Sequence, residues 1–264
     1  MLAVWPFSGK KRQGTGRRRR PAGEPNPHPV KPWWFMWEEW DAARPDWRLL
    51  RKSKDRFAAK MPLSGQPMAG YPWYVAAGEL PDPDGTGESV EALLWQLKDS
   101  IPRARSSIDL VSSGVALTFP RTLPPFGFYP KSDHWQATSS DFYYTTPKRL
   151  LREYDALAAL GPGHGTTRVL VADDRVFSAL VRPEVLQRPQ LTGRHVRLNG
   201  HHAVAWAKGY ASPEMLEECA MELYELVNLL PRTWGSEHVD RVRALVAAGG
   251  LEGLEKWVFR SLKS

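Results

Sequence analysis

The stretch from Thr166 to Pro231 restricts the fold more than any other part of the chain, because every local signal in it agrees. Arg168 to Ala172 is a β-branched apolar run that stops at Asp173-Asp174, a strand handing over to helix-cap residues. Val176, Phe177 and Leu180 then recur at helical spacing, and Pro183-Glu184 opens a second short turn with proline at a first-helical position. Ser212 and Pro213 begin a long helix. Its apolar stripe is Met215, Leu216, Cys219, Ala220, Leu223, Leu226, Val227 and Leu230, set against Glu217, Glu218, Glu222 and Glu225, and Pro231 ends it.

Between the short helices and the long one, Asn199-Gly200 separates HVRL from HHAVAW. Asn-Gly supplies the positive φ that a type I′ turn needs at both central positions, so the pattern predicts a hairpin. That hairpin pairs Leu198 with His201, Arg197 with His202 and Val196 with Ala203. Alternation puts Val196, Leu198, His201 and Ala203 on one face, and His195, Arg197, His202, Val204 and Trp206 on the other.

Upstream, Pro32 and the spacing of Trp33, Trp37 and Trp40 predict a short helix with an aromatic stripe that closes before Pro45. Its expected place is packed on the body, the other reading being exposed interface aromatics. Tyr71 to Ala77 reads as a strand that Pro72 confines to an edge or a strand start. PDPDGTG reads as a turn, and Val90 to Ser100 as a helix with Leu93, Leu94 and Leu97 on its apolar face. Ser107 to Val111 and Val115 to Phe119 are expected strands around Ser112-Ser113-Gly114, followed by irregular PRTLPPFGFYP. Phe142 to Thr145 reads as a strand and Lys148 to Leu160 as an amphipathic helix. GPGHGTT leads from that helix into a strand, the wrong order for a phosphate cradle, and is a linker. Beyond Pro231, two helical stripes meet near Gly249-Gly250.

Charge is unevenly placed. The chain carries 36 Lys and Arg, 29 Asp and Glu, and a formal net charge of +7. Residues 1–31 hold eight bases (Lys10, Lys11, Arg12, Arg17, Arg18, Arg19, Arg20 and Lys31) against Glu24, which is 8 − 1 = +7. The remaining residues carry 28 bases and 28 acids, and so are neutral. Attraction to an anionic partner therefore belongs to the arm, whose Gly, Pro and Arg content predicts disorder. Trp5 and Phe7 beside the basic cluster supply interfacial aromatics, the second signal that peripheral membrane anchoring needs. Nucleic acid is the alternative anion. No stretch is long and apolar enough to span a membrane, Met1 to Phe7 is too short for a signal core, and the cytoplasm is the expected compartment. The one cysteine, Cys219, excludes an intrachain disulfide and reads as a buried hydrophobe.

Catalytic and metal chemistry find little support. His195 and His202 fall as diagonal neighbours on one hairpin face with Arg197, a polar cluster that lacks the third ligand a metal needs. No nucleophile elbow, cofactor loop or zinc motif is present, so no cofactor, metal or catalytic residue is expected. Asp173 and Asp174 follow a strand, where they are read as caps rather than catalytic carboxylates. An enzyme of unrecognised type would need a pocket that joins His195 or His202 to a carboxylate such as Asp173.

The segments VLVADDRVFSALVRPEVLQ, RHVRLNGHHAVAWAKG and LEECAMELYELVNLLP, preceded by LTFPRTLPPFGF, resemble a group of uncharacterised bacterial proteins from GC-rich genomes. There a strand ends in an acid, a short helix with Leu-x-x-Pro-Glu follows, then a strand pair and an amphipathic helix that ends in Leu-Pro. The resemblance covers residues 104–232 and implies a fold but no activity.

Together these readings predict an α+β protein with a mostly antiparallel sheet flanked by helices. A disordered basic arm (1–31) precedes a Trp-rich helical segment (32–60), an α+β body (61–232) and a C-terminal helical cap (233–264). The expected function is that of a non-enzymatic cytoplasmic accessory protein with an unidentified protein partner. Its arm would associate with an anionic surface at the inner membrane face, with nucleic acid as the alternative.

Overall fold

A computed structural model describes residues 33–49, 71–80, 89–103, 106–130, 152–155 and 167–248. The basic arm, the connector 50–70, PDPDGTG, the expected strand at Phe142 to Thr145, GPGHGT and everything after Ala248 lie outside the described residues. The chain divides after Pro32, and the second unit, Trp33–Ser264, holds every described element.

In chain order these are α1 (Trp33–Ala43), β1 (Arg48–Leu49), β2 (Tyr71–Leu80), β3 (Val90–Arg103), β4 (Ser106–Pro130), β5 (Arg152–Asp155) and β6 (Thr167–Val171). There follow α2 (Asp174–Leu180), α3 (Pro183–Leu186), β7 (His195–Lys208), α4 (Pro213–Asn228) and α5 (Trp234–Ala247). The seven strands form one sheet in the order β1-β2-β3-β4-β6-β5, with β7 also paired to β4, and every pairing is antiparallel. Helices flank the sheet, so the fold is α+β as expected.

The expected helix over Val90 to Ser100 is instead β3, hydrogen-bonded to β2 on one side and β4 on the other. The reason lies in burial on both faces. Val90, Ala92 and Leu94 enter the main core, while Trp95 and Leu97 enter a second cluster with Leu93 against it. A strand buried on both faces has no clean alternation, and its leucines at 93, 94 and 97 mimic a helical stripe. Pairing on two flanks outweighs the helix propensity of Glu, Leu, Gln and Lys.

Ser112-Ser113-Gly114 does not separate two strands; it lies inside β4, paired with β3 and with β7. PRTLPPFGFYP is also part of β4; its first half leaves the ladder and Phe126 to Pro130 rejoin it. Thr118 faces His202 and Phe126 faces Leu198, so eight steps along β4 oppose four along β7. Four extra residues therefore bulge from β4 where Pro120, Pro124 and Pro125 lie, residues with no N–H to give a ladder. The bulge also marks a change of neighbour, since β4 pairs β3 up to Thr118 and β6 from Phe126.

The predicted hairpin at Asn199-Gly200 does not form. β7 stays bonded to β4 on both sides of it, with Leu198 opposite Phe126, Gly200 opposite Leu123 and His202 opposite Thr118. Yet the strand is not straight. The His195 and Trp206 rings stack with centroids 4.8 Å apart, whereas eleven extended residues would separate them by about 36 Å. Gly200, at φ 59°, is the positive-φ residue of the strand and sits where the register with β4 shifts. Asn-Gly thus makes a corner within one strand. The alternation changes phase there: Val196 and Leu198 before the corner and Ala203 and Ala205 after it face the same core. The predicted grouping of Val196, Leu198 and Ala203 survives for that reason.

Residues 152–155 of the expected helix over Lys148 to Leu160 form β5, paired with β6. Elsewhere local signals hold. Asp173 caps α2, and Pro183 opens α3. Ser212 caps α4 by accepting from the Met215 N–H at 3.2 Å, with Pro213 in the first turn. The stripe Leu216, Cys219, Ala220, Leu223, Leu226 and Val227 is buried over the sheet, but Met215 is 44% exposed because it faces away from it. Among the described residues, no helix is long and apolar enough to cross a membrane.

α1 lies against β2 and α4. Trp37 stacks on Tyr74 at 5.5 Å, and Trp40 meets Trp37 edge-on at 6.0 Å and Trp47 at 5.4 Å. Gly78 permits this: a Cβ there would lie 2.7 Å from the Trp47 ring.

Candidate functional site

Four groups of residues were candidates from the sequence, and the structure treats each differently. The face of β7 that carries His195 and Arg197 is brought together with Trp206. His195 lies between Tyr129 (6.2 Å, 5° between planes) and Trp206 (4.8 Å, 16°), and the Arg197 guanidinium sits 5.9 Å from the Trp206 ring centre. All four side chains are buried. Such stacking gives packing energy and fixes the sheet corner.

His202 is not one of the stacked rings, and its predicted diagonal place beside His195 rested on a hairpin where the structure has a corner. His202 Nδ1 hydrogen-bonds Thr118 Oγ1 at 3.3 Å, and His201 donates to the Phe119 carbonyl at 3.2 Å. Burial, then the charges of His201 and Arg197, push the His202 pKa down to about 4. A neutral imidazole bonded to a threonine at the edge of the β4 bulge pins the corner. Among the described residues, no group of three His, Cys, Asp or Glu is placed to hold a metal ion.

Asp173 is the cap the sequence indicated, and more. Its carboxylate accepts from the Arg175 backbone N–H at 2.9 Å, from the Arg175 side chain at 2.8 Å and from Arg241 at 2.9 Å. Arg175 also pairs with Glu237 at 2.9 Å and lies 5.1 Å over the Trp234 ring. Glu237 in turn accepts from Thr233 Oγ1 at 2.7 Å. Burial alone would raise the Asp173 pKa, but the hydrogen bonds from Arg175 and Arg241 outweigh it and hold the carboxyl well below the usual range. The network clamps the start of α2 to α5. His238, buried on α5, feels the Asp173 charge, while burial and Arg241 push its pKa down to about 4. Sequence gave no sign of this neighbour, because residues 65 apart meet only through the packing of α5 on the sheet.

Within the tryptophan stripe, Trp37 and Trp40 are packed in the core, 1% and 3% exposed. Trp33 begins α1, and its side chain, like Trp5, Phe7 and the bases Lys10, Lys11, Arg12 and Arg17 to Arg20, lies outside the described residues.

A set that the sequence showed only as a polar helix face is the acidic row of α4. Glu217 accepts from Trp40 Nε1 at 3.2 Å and pairs with Arg44 at 3.1 Å. On the other flank Glu218 and Glu222 accept from Gln190, and Glu225 pairs with Arg188 at 2.6 Å. These acids hold α1 and the loop after α3 to the two sides of the helix. Cys219, between them on the buried face, has its thiol pushed up to about 12 by burial, which makes it inert at neutral pH.

The fold and these groups define an α+β protein whose described polar clusters bind its own elements together. The chain matches no family model and no curated protein. In shape it is similar to the crystal structure of the mycobacterial trehalose monomycolate transport factor A, TtfA. The TM-score is 0.48 at 10% sequence identity, over 76% of this chain and 97% of that one. At that identity the likeness bears on no individual side chain.

Proposed function

We propose that this protein is a non-enzymatic cytoplasmic accessory protein whose basic arm associates with an anionic surface, the inner leaflet of the membrane. The observation that carries this reading is the partition of charge: +7 in residues 1–31 and zero in the rest. Each Lys or Arg near an anionic bilayer contributes on the order of 1 kcal/mol, screened beyond a Debye length. The seven bases from Lys10 to Arg20 would therefore bind reversibly at physiological salt and release at high salt. Trp5 and Phe7 add an apolar contribution, and two weak signals together are what stable peripheral association needs. Trp37 and Trp40 are buried and are not counted toward it. The neutral body then serves a protein partner brought to the surface. The resemblance to bacterial proteins from GC-rich genomes belongs to the same reading, supported by an arginine-rich composition of 24 Arg to 12 Lys.

Co-sedimentation with vesicles of neutral lipid, and with vesicles carrying about one third phosphatidylserine, tests the proposal at two salt concentrations. Three proteins are compared: the full chain, a variant with Lys10, Lys11, Arg12 and Arg17 to Arg20 changed to Gln, and one with Trp5 and Phe7 changed to Ala. The expected result is binding of the full chain to anionic vesicles only, lost in the first variant and weakened in the second. If the full chain ignores anionic vesicles but binds DNA or RNA with a steep salt dependence, the arm is a nucleic-acid contact. If it binds none of these, the reading fails.

A further inference from the structure

No further inference is drawn: the strongest candidate, the buried sheet face that carries Trp95, Ser112, Trp206, His195 and Tyr129, carries nothing because no described residue shows what covers it.

Discussion

Asp173 offers the sharpest test of how the body is held together, because one carboxylate both caps α2 and ties it to α5. Replacing it with Ala removes the cap, which costs about 1 kcal/mol, and charge-assisted hydrogen bonds that contribute about 1.5–3 kcal/mol. The partners Arg175 and Arg241 are 44% and 45% exposed, so water compensates them in part when the acid is lost. A total near the lower end follows, about 2–3 kcal/mol. Asp173→Asn keeps a good cap residue and an acceptor but removes the charge, so its cost should be about 1 kcal/mol. The pH dependence separates the two contributions. The folded-state pKa of Asp173 is depressed, so its ionic contribution is fully present above the unfolded value of about 4 and is lost as pH falls toward the folded one. Urea midpoints of wild type, D173N and D173A measured from pH 7 down to pH 3 should therefore show the gap between wild type and D173N closing below about pH 4, while the gap between D173N and D173A persists. A D173N protein as stable as wild type at pH 7, or a gap unchanged with pH, would refute the clamp as an electrostatic device.

Three further outcomes follow from the packing. A Cβ on Gly114 would lie 2.5 Å from the Ala205 carbonyl oxygen and 2.6 Å from the Trp95 ring; backbone cannot yield there, so Gly114→Ala should cost about 1–3 kcal/mol and lower Tm by roughly 3–10 °C in a thermal melt. An unchanged Tm would show that β4 and β7 do not approach so closely. Glu217→Ala removes the acceptor shared by Trp40 and Arg44, so amides of α1 should exchange with deuterium faster while those of β3 and β4 keep their protection; equal exchange in α1 would mean that Glu217 does not anchor it. His202 has a folded pKa of about 4, below its unfolded value of about 6.5, so the unfolded chain takes up a proton first and stability falls as pH drops between those values. His202→Asn should lessen that slope by up to about 1.4 kcal/mol per pH unit, leaving the share due to His238; identical slopes in urea midpoints between pH 7 and pH 5 would place His202 in solvent.

Where the chain decides its structure locally, the sequence could be read. The Asp173 cap, the proline starts of α3 and α4, and the spacing that makes α1 and α4 helical are all settled within a few residues. The readings that failed concern strands whose state depends on distant partners. Nothing within Val90 to Ser100 distinguishes a leucine stripe on a helix from a strand covered on both faces. The difference lies in Ala76, Val115 and the other residues that flank it in the sheet. Asn-Gly reads locally as a hairpin turn, and in the fold it bends a single strand. Which of the two forms depends on β4, whose proline bulge lets one continuous partner follow the corner.

The same logic separates the two kinds of charge in this protein. The glutamates of α4 and the bases of the arm both appear in sequence as polar runs with a solvent-facing expectation. In the fold, Glu217 and Glu225 pair with Arg44 and Arg188, and Glu218 and Glu222 bond Gln190, so these acids also anchor neighbouring segments. Residues 32–264 as a whole balance 28 bases with 28 acids. Residues 1–31 hold eight bases against Glu24, and this excess is what motivates the proposed anionic partner. The proposed anionic bilayer would supply counter-charge together with an interface for Trp5 and Phe7, which a nucleic-acid backbone matches only where bases are free to stack. That asymmetry favours lipid over duplex nucleic acid as the proposed partner, and changing Trp5 and Phe7, rather than the bases, is the test that separates the two.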